Sequence, residues 1–346
     1  MAQEDTDTIE FMGVPGSPYS RKMLALLRYR NIPHTVRWGN PMMPVDGYPK
    51  PKVSLLPTFY FRDENGDLEA AVDSTPIIRR LENMSTSRSV IPTDPALAFI
   101  NYLLEDYGDE WLTKCMFHYR WHFQDDIENA GPLLAYWHDP RLEKQKADGF
   151  IQHFTDRQVN RLYVVGSNDI TAETIESSYR RCISILDNII QKQGYILGAR
   201  PSSADFAFYG QLTQLAIVEP TSAAEARNIS PRVRAWVDRM DDLSGSISKN
   251  DDWIDLTADN IALKAMLTEV GRVYVPFLFA NAAAVQAGED NFTCQIDGRE
   301  WSQPTFAYQA KCLNWIMQEY AALSDKDRST VNSIFAGTGC AALTGR

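Results

Sequence analysis

Short apolar runs alternate with amphipathic stretches over residues 1–90. Four short runs predict strands, at 9–12, 35–38, 58–61 and 68–72, and the run 58–61 consists of β-branched and aromatic residues. Apolar residues at helical spacing predict two helices, at 21–31 and 74–84. Asn65-Gly66, between the last two strands, is a strong signal for a tight hairpin turn. The order strand, helix, strand, then strand, strand, helix predicts a mixed sheet with helices on its faces.

Helical periodicity dominates the rest of the chain. Residues 96–240 show no strand alternation, and Ser202 begins a capping box with Asp205 three residues later. Pro231 marks another helix start. Towards the end of the chain, the pattern predicts a small hairpin over 292–301 and helices at 253–287, 308–322 and 325–335.

Polar segments indicate where the chain divides. Residues 85–95 combine a serine-rich stretch with a proline-bounded one, and residues 241–252 are polar with a central glycine. We therefore predict an α/β domain with a proline-rich loop at 41–51, an all-helical domain and a mostly helical C-terminal extension, at residues 1–88, 93–244 and 245–346.

Composition and charge argue against several classes of protein. The chain has 346 residues and a formal net charge of -11, which repels phosphate backbones and argues against nucleic-acid binding. Five widely spaced cysteines without a CxxC pair favour a reducing compartment over a disulfide framework. The polar stretch 1–8 lacks the features of a signal peptide, and the most apolar stretch, 273–285, is too short to span a bilayer. We therefore expect a cytoplasmic protein without a membrane span.

The turn Gly16-Ser17-Pro18-Tyr19-Ser20-Arg21-Lys22 joins the first predicted strand to the first helix. Unpaired backbone N–H groups and the positive end of the helix dipole lie at such a helix start, so it is suited to stabilise an anion. Ser17 is at or just before the N-cap, and its hydroxyl can point at the same anion. A plain capping role is the alternative for this serine.

Several motifs resemble the cytosolic glutathione transferase superfamily. Ser17-Pro18-Tyr19-Ser20 resembles the Cys-Pro-Tyr-Cys of glutaredoxins and the Ser-Pro-x-x-Arg-Lys turn of many transferases. Leu56-Pro57 precedes the third strand, as does the Val-Pro of that fold, whose proline is cis. Residues 73–81 resemble its Glu-Ser-x-Ala-Ile segment, and the capping box and the late tryptophan-containing helix match its helical domain. The resemblance covers residues 8–242 and implies a thioredoxin-like domain followed by a helical-bundle domain.

The resemblance also implies a glutathione site. Leu56 would pair with the cysteinyl unit through its backbone, and Pro57 would hold that turn. Ser74 and the start of its helix suit the γ-glutamyl carboxylate, and Asp73 suits the ammonium. Capping of that helix is the other interpretation of both residues, and the two roles can hold together.

Two lysines in the loop before the third strand are candidates for the glycine carboxylate of glutathione. The family often places a basic residue there, and Lys52 is our candidate, with Lys50 as the alternative. An exposed lysine without a ligand is the other interpretation of either residue.

The glutathione thiol needs a stabilising partner because the thiolate, not the thiol, is the nucleophile. One hydrogen bond to a charged group contributes about 1.5–3 kcal/mol, and a helix N-terminus up to about 2 kcal/mol. One serine hydroxyl is therefore enough, and Ser17 is the candidate catalytic residue, with Ser20 or Tyr19 as alternatives. Because no cysteine stands at this position, exchange through a mixed disulfide is disfavoured.

The helix around residues 111–122 lines the electrophile pocket in the family. This implies contacts from Trp111, Tyr119 and His122, together with Tyr19 in the first turn, although aromatic residues at helical spacing are more often core. His118 and His122 are four residues apart, which places both imidazoles on one helix face, as two ligands of a metal would need. No third ligand or HExxH pattern is evident. We therefore expect no metal.

The combined prediction is a glutathione transferase. Glutathione would be the co-substrate, a small apolar electrophile the second substrate, and the resemblance implies a homodimer. A non-catalytic binding or scaffold protein of the same fold is one alternative, favoured by the long C-terminal extension. A glutathione-dependent isomerase, dehalogenase or lyase is the other, and it would use the same residues.

Overall fold

The computed structural model describes residues 8–39, 45–247, 249 and 252–345. Most of the predicted N-terminal polar stretch, part of the proline-rich loop at 41–51 and part of the linker at 241–252 lie outside the described residues. No helix in the described ranges is long and apolar enough to cross a membrane.

A four-stranded sheet forms the N-terminal part of the fold. Its strands are β1 (Ile9–Gly13), β2 (His34–Trp38), β3 (Thr58–Arg62) and β4 (Leu68–Ala71), in the spatial order β2-β1-β3-β4. Strand β1 is parallel to β2, and β3 is antiparallel to both β1 and β4. The helices of this part are α1 (Pro18–Tyr29) and α2 (Ser74–Met84). The mixed sheet with its two helices confirms the predicted thioredoxin-like arrangement.

Helices form the next part of the chain, as predicted. They are α3 (Pro95–Glu110), α4 (Leu112–His122), α5 (Gln124–His138), α6 (Lys144–Val159), α7 (Ala172–Gln193), α8 (Ser203–Thr213), α9 (Pro220–Ile229) and α10 (Pro231–Met240). The capping box of Ser202 and Asp205 is present at α8, and Pro231 opens α10. The prediction of a helical domain after the sheet is therefore confirmed.

The described residues of the segment that we predict as a C-terminal extension (residues 245–346) form helices and a hairpin. Its elements are α11 (Ile261–Glu269), α12 (Val275–Ala287), β5 (Asn291–Ile296), β6 (Arg299–Pro304), α13 (Ala307–Ala321) and α14 (Asp325–Phe335). The predicted hairpin is confirmed, but the helix predicted from residue 253 begins only at Ile261, so that prediction is wrong for 253–260. Trp253 instead forms a β-bridge with Gly198 and packs under the Arg200 guanidinium at 4.5 Å. Such contacts between distant parts of the chain leave no local sequence signal.

Aromatic side chains join the extension to the helical domain. The Phe99 ring of α3 lies 5.7 Å from the Tyr320 ring and 6.0 Å from the Phe335 ring. The Trp301 ring of β6 lies 5.4 Å from the Trp111 ring. All five residues belong to one continuous apolar core that also includes the sheet and α1.

A glycine lets the first turn approach the helical domain closely. A Cβ atom added at Gly210 of α8 would lie 2.6 Å from the carbonyl oxygen of Pro18, which is closer than real Cβ contacts allow. Only glycine therefore permits α8 to pack this tightly against α1. The β1–α1 turn is thus held directly against the helical domain.

A buried ion network connects α1, α2 and α3. Lys22 is 1% exposed, and its ammonium donates to Ser74 Oγ (3.0 Å), Glu105 Oε1 (2.8 Å) and Asp109 Oδ2 (2.6 Å). A lysine has three donor hydrogens, so all of them are used. Burial opposes the charged forms, but the lysine lowers the pKa of Glu105, and the two carboxylates raise the pKa of Lys22. The ammonium therefore stays charged and holds the three helices together.

Removal of this ammonium should destabilise the protein strongly. We expect Lys22→Met to lower the free energy of unfolding by about 3–5 kcal/mol, because two buried carboxylates would lose their counter-ion. Urea unfolding at pH 7 measures the change, and Lys192→Met, at an exposed position on α7, is the matched control. Equal effects of the two substitutions would contradict a stabilising role for the network.

Candidate functional site

A cavity of about 570 Å³ lies where the sheet, the start of α2 and the α3–α4 region meet. Leu56, Pro57, Asp73 and Ser74, which the sequence predicts as glutathione-binding residues, all line it, and so does Tyr19. Residues at the end of α3, at the start of α4 and around the beginning of α13 also line it. The cavity thus brings the predicted binding residues together with the helical domain.

The backbone before β3 has the predicted geometry. The Leu56-Pro57 peptide bond is cis. Leu56 is half-buried, and Pro57 is buried. Thr58 at the start of β3 donates its hydroxyl to the Leu55 carbonyl at 2.7 Å, which ties the turn to the strand.

Asp73 and Ser74 open α2. Asp73 is the N-cap, and its Oδ1 accepts from the Thr75 N–H at 3.3 Å. Its φ of +78° is unusual for a residue other than glycine. Ser74 is buried, and its Oγ accepts from Lys22. The predicted capping role of Asp73 is confirmed, and the buried ion network fixes the position of Ser74.

Ser17 caps α1. Its Oγ accepts from the Ser20 N–H at 3.2 Å, and no described residue accepts the Ser17 hydroxyl proton. Ser17 is half-buried but is not among the residues that line the cavity; Tyr19, two residues on, is. The structure therefore leaves Ser17 with a free hydrogen-bond donor next to the start of the helix.

The two alternatives to Ser17 are both engaged with protein atoms. Ser20 is buried, and its Oγ accepts from the Val14 N–H at 3.2 Å. Tyr19 donates its hydroxyl to the Asp109 carbonyl at 2.7 Å and lies 3.3 Å from the Thr113 hydroxyl. Tyr19 therefore contributes its ring to the cavity wall, while its hydroxyl holds the turn against α3 and α4.

The other candidates from the sequence lie away from the cavity. Trp111 and Tyr119 are fully buried, and they donate to Ser178 Oγ (2.9 Å) and Glu225 Oε2 (2.7 Å). Neither residue lines the cavity, and neither do the exposed lysines Lys50 and Lys52. Trp111, between α3 and α4, and Tyr119 of α4 pack into the core instead.

His122 is exposed and also does not line the cavity. Its ring stacks on that of His118 at 4.5 Å, and His118 Nδ1 lies 2.8 Å from Ser167 Oγ. In the part of the chain that the structure describes, no group of three or more potential metal ligands is found.

Three carboxyl groups in the cavity wall were not predicted from the sequence. Asp106, Asp109 and Glu110 have the i, i+3, i+4 spacing that places side chains on one helix face, so this spacing was the available signal. Burial raises the pKa of each of these carboxyl groups to about 7. The wall formed by α3 is therefore acidic but only partly ionised near neutral pH.

Lys114, one turn further along in α4, also lines the cavity and was also missed. Its ammonium lies 3.1 Å from Gln303 Oε1, 3.3 Å from the Val165 carbonyl oxygen and 4.1 Å from the centre of the Phe277 ring. Burial lowers the pKa of Lys114 to about 7. The residue thus joins the wall of the cavity to the extension through neutral acceptors.

Comparison with known families gives two matches in the expected order. Residues 11–88 match the glutathione S-transferase N-terminal domain, and residues 168–239 match the glutathione S-transferase C-terminal domain. The two matches support assignment of the chain to the glutathione S-transferase superfamily. No curated protein matches the sequence.

Solved structures with a similar arrangement are distant in sequence. A glutathione transferase family member from Pseudomonas fluorescens with two glutathione bound has 13% identity and a TM-score of 0.41, covering 69% of this chain and 90% of its own. A beta-etherase from Sphingobium has 16% identity and a TM-score of 0.47, covering 75% and 98%. A Tau class glutathione S-transferase from mango has 15% identity and a TM-score of 0.38, covering 67% and 87%. The family assignment rests on the two domain matches.

The raised pKa of Glu110 predicts a pH-dependent stability. In the unfolded chain a glutamate loses its proton near pH 4.3, whereas burial and the Asp106 charge keep Glu110 protonated to about pH 7. The native state therefore binds more protons between these values, and its stability falls as pH rises through that window. We expect the free energy of unfolding of Glu110→Gln, relative to the parent, to rise between pH 5 and 8.

Denaturant unfolding across this pH range measures the difference. Glu128→Gln is the matched control, because Glu128 is exposed and, like Glu110, accepts a hydrogen bond from a glutamine amide. A constant difference between Glu110→Gln and the parent would contradict the raised pKa.

Proposed function

We propose that the protein is a glutathione transferase that binds glutathione in the 570 Å³ cavity and activates its thiolate for attack on an apolar electrophile. The observation that carries the proposal is that residues of the α/β part and of the helical part line the same cavity. Tyr19, Leu56, Asp73 and Ser74 of the α/β part line the cavity together with Thr113 of α4. Assignment to the superfamily supports glutathione as the co-substrate.

Each predicted residue has a task that its surroundings allow. The Asp73 carboxylate faces the cavity and would bind the γ-glutamyl ammonium, whereas Ser74 and the positive start of α2 would bind the carboxylate of that group. Leu56 would pair its backbone with the cysteinyl unit. Lys52, an exposed residue of the preceding loop, is proposed for the glycine carboxylate.

Ser17 would stabilise the thiolate. Its hydroxyl proton has no acceptor among the described residues, and the helix N-terminus beside it favours negative charge. The thiolate sulfur would form a bond to an electrophilic carbon, whose leaving group departs with the bonding electrons. The family assignment also leads us to propose a cytoplasmic homodimer.

A non-catalytic binding protein is the second candidate. It is favoured by the absence of Ser17 from the residues that line the cavity. An isomerase, dehalogenase or lyase that depends on glutathione would use the same residues as the transferase, so the thiolate measurement below tests the chemistry that they share.

The state of the bound thiol tests the role of Ser17. A free thiol titrates near pH 8.5, with cysteine as the guide, and we expect bound glutathione to form thiolate well below that pH. In Ser17→Ala the thiol pKa should rise by about one to two, because one hydrogen bond to a charged group is lost. The ultraviolet difference spectrum of bound glutathione against pH measures both values.

Ser20→Ala and Tyr19→Phe are the comparison variants, because they remove the hydroxyls of the two alternatives. If either of them moves the thiol pKa and Ser17→Ala does not, Ser17 is not the donor. If the parent protein does not bind glutathione, the transferase proposal fails and the scaffold interpretation replaces it.

A further inference from the structure

The C-terminal extension reaches the cavity that we propose for glutathione. Phe306, Tyr308 and Gln309, around the start of α13, line this cavity. Tyr308 donates its hydroxyl to Asp73 Oδ2 at 2.8 Å. A residue outside both family-matched segments therefore bonds directly to the carboxylate that would bind the glutathione ammonium.

The protein holds Tyr308 in place from several sides. Phe306, two residues earlier, donates its N–H to Asn281 Oδ1 at 2.8 Å, and Asn281 Nδ2 donates to the Phe306 carbonyl at 2.9 Å. Asn281 belongs to α12 and is fully buried. The Tyr308 ring packs edge-on against the Trp315 ring at 5.8 Å. The hydroxyl is thus carried by ordered, packed elements rather than by a free side chain.

Two neutral groups donate hydrogen bonds to the Asp73 carboxylate, and acceptor sites remain on it for a cation. Its Oδ1 accepts from the Thr75 N–H, and its Oδ2 accepts from Tyr308. A carboxylate offers about four acceptor sites, so about half remain free. Neutral donors fix the orientation of the carboxylate without cancelling its charge, and an ammonium in the cavity can still form an ion pair with it.

The hydrogen-bonded pair Asp73 and Tyr308 also lies between two cavities. Both residues line a second cavity of about 450 Å³, formed between α2, α3 and α13. The pair therefore forms part of the wall between this second cavity and the proposed glutathione cavity. A carboxylate released by Tyr308 would be able to turn towards either space.

We propose that Tyr308 is a positioning residue of the glutathione site, whose hydroxyl orients the Asp73 carboxylate towards the γ-glutamyl ammonium. The proposal rests on the proposed function, because it requires glutathione in this cavity. It gives the extension a role in ligand recognition. The opposite role, in which the tyrosine occupies the place of the ammonium and weakens binding, predicts the opposite change in affinity.

The test compares two ligands that differ only in the amine. Calorimetry would measure the binding of glutathione and of glutaryl-cysteinylglycine, which lacks the ammonium, to the full chain. In Tyr308→Phe we expect the Kd for glutathione to rise about tenfold or more, as for the loss of one hydrogen bond to a charged group. The Kd for the analogue should not change.

Two further variants make the comparison specific. Tyr320→Phe is the matched control, because Tyr320 lies on the same helix, donates its hydroxyl to Asn332 Oδ1 at 2.9 Å and lines neither cavity. It should leave both affinities unchanged. Asp73→Asn should abolish the preference for glutathione over the analogue, and in that background Tyr308→Phe should have no further effect.

Four results would overturn the proposal, and each can be distinguished from the others. Equal weakening of both ligands by Tyr308→Phe would show a packing role, and tighter binding of glutathione would show that Tyr308 blocks the site. If the parent protein binds neither ligand, the proposed function itself fails. If the parent binds both ligands without preference, glutathione binding stands and the ammonium subsite fails.

Discussion

The buried ammonium of Lys22 is the constraint on which the site depends. It is the point where α1, α2 and α3 meet, and a buried charge is tolerated only while its partners stay in place. The helix that Ser17 caps, the start of α2 at Ser74 and the acidic wall of α3 are therefore held in one register. Glu105 and Asp109 share this single cation, and burial raises the pKa of Asp109 to about 7. Lys22 thus organises the cavity, while burial and the Glu105 charge keep the pKa of Asp109 raised against the effect of the lysine.

Local sequence signals were sufficient to predict much of the fold. They also predicted half of the candidate site residues at positions that line the cavity. The helices at 74–84 and 325–335 have the predicted bounds because Asp73 and Ser324 cap them through their own side chains. The cis bond before Pro57 and the cavity positions of Asp73 and Ser74 follow from motifs a few residues long.

The missed features depend on contacts between distant segments. Trp253, at the start of the predicted helix, pairs with Gly198, and α11 begins after its cap at Asn260. The family resemblance implies a pocket position for Trp111, but the Trp301 ring of the extension packs against it within the core. No local sequence pattern predicts that Tyr308 donates a hydrogen bond to a carboxylate 235 positions earlier in the chain.

The extension contacts the ionisable residues Lys114 and Glu110 of the cavity wall through neutral amide side chains rather than through ion pairs. Gln303 accepts from Lys114, and Gln309 donates to Glu110 at 2.9 Å. Each amide therefore satisfies an ionisable group whose pKa burial has moved to about 7. Because an amide can pair with either form of such a group, these contacts persist while the charge of the cavity changes around neutral pH. The shape of the cavity is thus fixed by the fold, whereas its charge is left to respond to pH and to the ligand.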